Sequence, residues 1–517
     1  MSFNLLGRVC RCDPWPTWVQ PLCEHGSCEG NQVTTKAAVI IMYDAGPAGA
    51  LGELSAFRRQ FYRCLMRRAD ALFELTESVL CADGPVTSLV GLSLAPEHRR
   101  GHGALYDAVN AGWVQVDRLR RTLAGLPLPR DVKGRIVLAV DVCSWLRPDA
   151  ATAPDRSFCH VYGRGRNAAQ LIPGWQYSFV AGLEPGRSSW TAILDAVRLR
   201  PVDDATQVTA AQVGQVVDRL RQAGQWAEGD PPILVVFDAG YDIVRLAWLL
   251  RDTPVIVVGR LNSNRVFHLP APARTPGWVG RPGRHGPVVD LDQPATHPAA
   301  GVSTTTETSR YGTARVHAWD RAHQQLQRRA GWATHQGQLP TVEGTLIRLV
   351  VERLPGDRHP KPVWLWSSAT GLDAAQVDRL WQAYLRRFDI EHTFRFFKQT
   401  LGWTTPRVRD PQAADRWTWL MITAYTQLRL GRDLTGDLRR PWERPATIPR
   451  RLTPARVRRG FRHLRAKLPL PAGVPKPTRP GPGRPPGSKN RHVAARPPVG
   501  KPNAEPEQSA PKHTKKV

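Results

Sequence analysis

Two short stretches do most to limit the folds open to this chain. "RIVLAVDV" (residues 135–142) and "PPILVVFDAGYD" (231–242) are apolar, β-branched runs that end in Asp141 and Asp238. A strand with one wet face alternates apolar and polar residues. A strand without that alternation is covered on both faces, as in the middle of an α/β sheet. Two more strand candidates, "WQYSFVAGL" and "WTAILDAVRL", lie between these runs. An amphipathic helix at 204–223 follows, then a helical stretch at 242–251 and the strand "VIVVGRL". The centre of the chain therefore reads as a mixed α/β domain in which two buried strands end in carboxylates.

Around this centre the pattern changes several times. Residues 1–49 show no clean periodicity and are set aside as a leader. Leu51, Leu54, Phe57, Phe61, Leu65, Leu72, Leu75 and Val79 recur at helical spacings, and a second helical run covers 104–123. Residues 50–130 are thus expected to be an N-terminal helical domain, with DNA binding or support of its neighbour as open roles. The α/β pattern occupies 131–261 and loses regularity over 262–360, a Pro-, Gly- and Thr-rich stretch with short strand candidates. It resumes over 361–432, with a helix beginning near Asp373 and another at 411–430. A basic helical segment is expected within 433–473, with Thr453 as N-cap, Pro454 in the first turn and Val457, Phe461, Leu464 and Leu468 as its apolar stripe. Residues 474–517 are basic, rich in proline and nearly free of bulky apolar side chains, so they are expected to be disordered.

The segment "YLRRFDIEHTFRFFK" (384–398) holds acids, bases and aromatics with no Gly or Pro. At about 100° per residue, Tyr384, Arg387, Glu391 and Lys398 fall within roughly 60° of arc on one helix face. Arg395 falls near the same stripe, whereas Asp389 lies well off it. One carboxylate among cations fits either a salt-bridged surface or a site that meets metal and phosphate together. With Asp141 and Asp238 it completes three hard oxygen donors, which suit two Mg²⁺ or Mn²⁺ ions and phosphodiester chemistry. Arg387 and Lys398 would then grip phosphates, and Tyr384 would position one. Asp242 is expected to cap the following helix, and Asp149 to stand outside the site.

The net charge of +28 points to a polyanionic partner, above all nucleic acid. There is no apolar run long enough for a transmembrane helix and no convincing signal peptide, so a cytoplasmic, nucleoid-associated protein is expected. Cys10, Cys12, Cys23 and Cys28 with His25 allow a zinc site or an unstructured leader. Cys64, Cys81, Cys143 and Cys159 read as ordinary buried thiols.

The spacing Tyr-x2-Arg-x3-Glu-x6-Lys at 384–398 resembles the signature of a large group of bacterial insertion-sequence transposases within the DDE superfamily. Asp238, Gly240 and Tyr241 are similar to that group's Asp-x-Gly-Tyr motif. Its first motif often reads Asp-Asp-Thr, and here Asp141 is followed by Val142 and Cys143, a partial match. The resemblance covers roughly 135–430. It implies a ribonuclease H-like mixed sheet flanked by helices and interrupted by a largely β insertion. It further implies catalytic and metal-binding roles for Asp141, Asp238 and Glu391, and two Mg²⁺ or Mn²⁺ ions. The implied partners are double-stranded DNA at element ends and target, with a homodimer assembled on those ends.

Two further features bear on DNA. In some relatives an aromatic residue of the insertion stacks on a flipped base, and Trp319, then Trp278, are the candidates here. Arg484, in "GRPPGSK", sits in a Gly-Arg-Pro core that resembles an AT-hook, a minor-groove peptide. A generic polycationic tail is the other reading of that segment. A transposase is the leading expectation; a stand-alone nuclease of the same chemistry and a non-catalytic DNA-binding repressor are the alternatives.

Overall fold

The computed structural model describes residues 47–161, 170–186, 188–273, 283–308, 311–353, 360–443, 445, 452–476, 487 and 494–500. The early cysteines with His25, Trp278 and Arg484 lie outside the described residues. The chain opens with α1 (Pro47–Cys64), β1 (Leu65–Arg67), α2 (Ala69–Cys81), α3 (Leu89–Ser93), α4 (His102–Ala111), β2 (Trp113–Val114) and α5 (Val116–Ala124). The strands β3 (Val137–Leu146), β4 (Ser157–Val161), β5 (Gln170–Leu183) and β6 (Thr191–Leu199) follow. Next come α6 (Ala205–Gln222), β7 (Ile233–Phe237), α7 (Ile243–Leu249) and β8 (Val255–Leu261). Then come β9 (Val266–His268), β10 (Val288–Asp290), β11 (Val302–Thr308), β12 (Gly312–Ala322), β13 (Gly344–Val351) and β14 (Val363–Ser367). The helices α8 (Ala374–Arg386), α9 (Phe388–Phe396), α10 (Pro411–Leu430) and α11 (Pro454–Arg465) close the described chain.

The result is a mixed α/β protein built on one ten-stranded sheet. Its order is β11-β12-β13-β14-β8-β7-β3-β5-β4, and β6 pairs with the remaining edge of β5 beyond β4. The β3–β7 and β7–β8 pairs are parallel, and the other pairs of this sheet are antiparallel. The two runs that end in aspartate, β3 and β7, are neighbours at its centre. The irregular stretch 262–360 contributes β11, β12 and β13, which extend this same sheet outward from β14. A continuous apolar core on one side of the sheet runs from Leu54 and Phe61 through Trp145 and Phe179 to Trp417 and Trp419. The N-terminal helices therefore share their core with the sheet. A second core on the opposite side gathers Leu138, Val140, Val213, Phe237 and Trp366 under α6 and α7.

The helical part is held together by buried charge. Glu74 and Glu77 on α2 are fully buried. Glu77 accepts from Arg58 Nη1 and Nη2 at 2.6 and 2.9 Å and from Arg465 Nε of α11 at 3.1 Å. Glu74 accepts from Arg99 Nε and Nη2 at 3.0 and 2.7 Å. The arginines of α11 are engaged within the fold. Arg456 and Arg459 pair with Glu443, Arg462 pairs with Glu97, and Arg458 donates to the carbonyls of Val79 and Gly84. The basic helix is a fold element whose arginines are engaged by acids and backbone carbonyls of the fold.

One expectation fails in the tail. Residues 474–517 read as disordered throughout, yet 494–500 are placed, and Gly500 bridges to Ser157 at the start of β4. Gly500 N donates to Arg156 O at 2.8 Å and Gly500 O accepts from Phe158 N at 3.1 Å. A side chain at 500 would meet Pro201 Cβ at 2.2 Å, so only glycine lets the chain approach this closely. Composition sets the average tendency of a segment; it does not register one glycine that fits against a strand edge. No helix among the described residues is long and apolar enough to cross a membrane.

Candidate active site

Strand parity aims both aspartates at one face. On β3, Val137, Ala139, Cys143 and Trp145 point into the first core while Leu138 and Val140 point into the second, so Asp141 belongs with the first set. On β7, Leu234 and Val236 face the first core and Phe237 the second, which puts the next residue, Asp238, on the first face too. Val140 pairs with Phe237 in parallel register, so the two aspartates lie side by side; Asp238 follows the end of β7, whereas Asp141, expected at a strand end, stands mid-strand opposite Phe179 because β3 keeps its pairing with β5 as far as Leu146.

The helices α8 and α9 bring the third carboxylate to that face. Asp373 caps α8 with a capping box: its side chain accepts from Gln376 N, and the Gln376 side chain accepts from Asp373 N. Thr304 and Thr306 of β11 donate to Asp378 at 2.6 and 3.2 Å, and Trp381 Nε1 donates to it at 2.8 Å, which moors α8 to the sheet. The Phe394 ring packs on Phe179 at 5.1 Å, and Thr393 Oγ1 lies 2.9 Å from Thr191 Oγ1, which fixes α9 over β5 and β6. The single continuous helix expected here is interrupted. α8 stops at Arg386, Arg387 stands at the junction, and a π-helical turn, Phe397–Leu401, follows α9.

Even so, Tyr384, Arg387 and Glu391 meet the two aspartates. Arg387 Nη1 lies 2.9 Å from Asp141 Oδ2, and its Nη2 lies 2.9 Å from Glu391 Oε1 and 3.5 Å from Asp238 Oδ2. Tyr384 Oη lies 3.4 Å from Asp238 Oδ1. The Arg387 side chain is 8% exposed, whereas Asp141, Asp238 and Glu391 keep 17%, 26% and 31% of theirs open to solvent. The carboxylates thus rim a buried guanidinium and remain reachable from outside.

Charge is unbalanced in this cluster, with three carboxylates against one guanidinium. Burial pushes the Asp141 carboxyl up to about 7; Arg387 opposes the shift, and Asp238 and Glu391 add to it. Burial likewise raises Glu391, against the pull of Arg387. Burial works against the charge of Arg387, but Asp141 and Asp238 outweigh it and raise its pKa further. Burial, then Asp238, raises the Tyr384 phenol. Burial thus favours the neutral forms of these acids, and the acidic neighbours of Arg387 hold it charged.

The other expected residues fall around this cluster. Arg395 is exposed on α9, and its charge bears on Glu391 and His392. Lys398, on the π-helical turn, is half-buried and its charge bears on the Cys159 thiol of β4. Asp389 turns away and pairs with Arg386; burial raises its carboxyl to about 7 against the pull of Arg386. Asp242 caps α7 by accepting from Arg245 N, and Asp149 pairs with Arg147. Cys143, where the resembled motif has threonine, is buried in the core beneath Asp141.

Trp319 does not suit base stacking. It is 5% exposed, donates to Pro298 O at 3.0 Å and packs on Trp364 in the second core, across the sheet from the carboxylates. Ala314, Val316 and Ala318 of its strand face the first core, so 319 has the opposite parity and turns to the second. Arg260 is a residue that the spacing argument overlooked. Phe237 pairs with Gly259, so Arg260 is the strand-end neighbour of Asp238, and its charge bears on Tyr384. The signal was available: a lone cation at the end of the buried run "VIVVGRL".

Among the described residues, no three or more His, Cys, Asp or Glu side chains already stand in the arrangement of a bound metal ion. The chemistry of the donors fits one nonetheless. All three are carboxylates, the donors that hard divalent cations prefer, each is partly open, and the cluster carries surplus negative charge.

Among solved structures, the Drosophila P element transposase strand transfer complex matches at 14% identity with a TM-score of 0.14, over 34% of this chain and 35% of that one. The chain thus spans about a third of that protein's length, a likeness too slight to carry an argument. No curated protein matches the chain. The family model described as DDE superfamily endonuclease matches residues 60–326, just over half of the sequence. That span takes in β3 and β7 with Asp141 and Asp238, and the chain belongs to the DDE superfamily endonuclease family.

Proposed function

We propose that this protein is a DNA transposase of the insertion-sequence group with the Tyr-x2-Arg-x3-Glu-x6-Lys signature, acting on chromosomal DNA as a homodimer assembled on element ends. The observation that carries the proposal is the convergence of Asp141, Asp238 and Glu391, from three separate elements, on Arg387. The strand order β6-β5-β3-β7-β8, three antiparallel strands followed by two parallel ones, supports a ribonuclease H-like core. In that reading β11 to β13 are the β insertion. The net charge of +28 supports a nucleic-acid partner.

Asp141, Asp238 and Glu391 would hold two Mg²⁺ or Mn²⁺ ions, which activate the attacking oxygen and stabilise the leaving one. Arg387, Lys398 and Arg395 would bind backbone phosphates, and Tyr384 would orient one of them. In the first reaction a water oxygen bonds to phosphorus and the P–O3′ bond breaks, leaving a 3′-hydroxyl and a 5′-phosphate. In the second that 3′-hydroxyl bonds to a target phosphorus and displaces the target's own 3′ oxygen. The alternatives are separated by product. A supercoiled plasmid carrying the DNA that flanks this gene is incubated with the protein and Mg²⁺. A transposase gives cuts at the element ends and joined strand-transfer products. Cuts without joining indicate a nuclease, and binding without cuts a repressor.

A further inference from the structure

Arg387 touches all three carboxylates at once, with its two terminal nitrogens shared among Asp141, Glu391 and Asp238 at 2.9, 2.9 and 3.5 Å. It therefore sits at the centre of their negative charge, which is the place that a cation held by the same oxygens would take. A carboxylate lone pair that accepts from a guanidinium N–H is not available to a metal ion at the same moment. Two divalent ions beside a fixed guanidinium would also repel it strongly at such short range. Arg387 stands at the α8–α9 junction with helical backbone angles, its N–H bonded to Tyr384 O at 3.0 Å, so its departure would be a movement of the side chain alone. The partner that matches a guanidinium as well as a carboxylate does is a phosphate, through the same forked geometry.

We propose that Arg387 is the resting counter-ion of the site: it competes with divalent cations for the three carboxylates, and a DNA phosphate draws it off. The proposal rests on the reading that these carboxylates hold the metal ions. Its consequence is that metal and DNA bind cooperatively. By linkage the coupling is reciprocal: DNA tightens metal binding by the same factor by which metal tightens DNA binding. A protein without DNA keeps its carboxylates engaged by Arg387 and holds metal weakly.

The test is Mn²⁺ binding to the full-length protein, measured by titration calorimetry without DNA and again with a short random-sequence duplex. Wild type is compared with R387Q, R387K, R251Q and D141N. Without DNA, R387Q is expected to bind Mn²⁺ at least about tenfold more tightly than wild type, a difference of about 1.4 kcal/mol. R387K is expected to fall between the two, because one ammonium cannot bridge three carboxylates, and it supplies the comparison should R387Q not fold. R251Q, at an exposed arginine that pairs with Asp252 away from the site, is the control for general electrostatics and is expected to change affinity less than about twofold. The duplex is expected to tighten Mn²⁺ binding to wild type and to leave R387Q nearly unchanged. Equal or weaker Mn²⁺ binding by R387Q and R387K, with D141N still abolishing it, overturns the counter-ion role and leaves the metal site standing. Undiminished Mn²⁺ binding by D141N, or no binding by any form, overturns both.

Discussion

Replacing Glu77 by alanine is expected to be among the most damaging single changes outside the site. Glu77 is fully buried, and the Arg58 side chain that it pairs with is 1% exposed. The substitution removes two hydrogen bonds from Arg58, at 2.6 and 2.9 Å, and one from Arg465 at 3.1 Å. Arg58 would keep only Gln427 Oε1 at 2.7 Å and Pro469 O at 3.3 Å, both neutral acceptors, for a charge cut off from water. Breaking one side of a buried pair in this way costs about 3–5 kcal/mol. Asp117 offers the contrast. Its pair with Arg120 has the aspartate side chain 78% exposed, so D117A is expected to cost less than about 1 kcal/mol. The assay is urea unfolding of E77A, D117A and the double variant R58M/E77L. The double variant removes both buried charges and is expected to regain much of the loss. Because Arg465 ties α11 to α2, E77A is also expected to speed tryptic cleavage within α11 below the unfolding midpoint. A loss under about 1 kcal/mol for E77A would refute the reasoning, since a buried charge cannot lose its partner that cheaply.

Asp389 gives a pH test. Its folded carboxyl is raised to about 7 from an ordinary 3.8, so folding favours the protonated form. That contribution is complete below the unfolded pKa and is lost as pH rises through the folded one. Wild type is therefore expected to lose stability relative to D389N between about pH 4 and pH 7, by at most about 4 kcal/mol; parallel urea curves across the range refute the shift. K398A is expected to shallow the salt dependence of duplex binding by about one counterion, and an unchanged slope in filter binding removes Lys398 from the phosphate contacts. G500V places side-chain atoms against Pro201 and is expected to release 494–500 from β4 without moving the global unfolding midpoint. Proteinase K cleavage within 494–500 reports the release, and protection equal to wild type contradicts it.

Much of the site was legible because its determinants are local. Asp141 and Asp238 end buried runs, and the strand period of two puts each on a defined face. Asp373 was readable as a helix start, 411–430 as a helix and Asp242 as a cap, since each depends on neighbours within a turn. Trp319 was misjudged because a tryptophan in an irregular stretch looks available until the strand that buries it is known. Glu74 and Glu77 of α2 are covered by arginines from distant segments, and the Arg465 contact spans 388 residues. Pairings at that range leave no trace in local periodicity. The bridging role of Arg387 was hidden for a different reason: the stripe put cation and carboxylate side by side on one helix, but that both aspartates close on the same guanidinium depends on how the helix docks on the sheet.

The central reading is that Asp141, Asp238 and Glu391 act together on a phosphodiester bond. Its most direct test is single-turnover cleavage of an end-labelled element terminus by D141N, D238N and E391Q, with duplex binding measured on the same samples. These near-isosteric changes remove the carboxylate charge and preserve its shape. Each is expected to reduce Mg²⁺-dependent cleavage below detection while binding stays within a few-fold of wild type. Cleavage at the wild-type rate by any one of them, with DNA bound normally, would take that residue out of the site and contradict the reading.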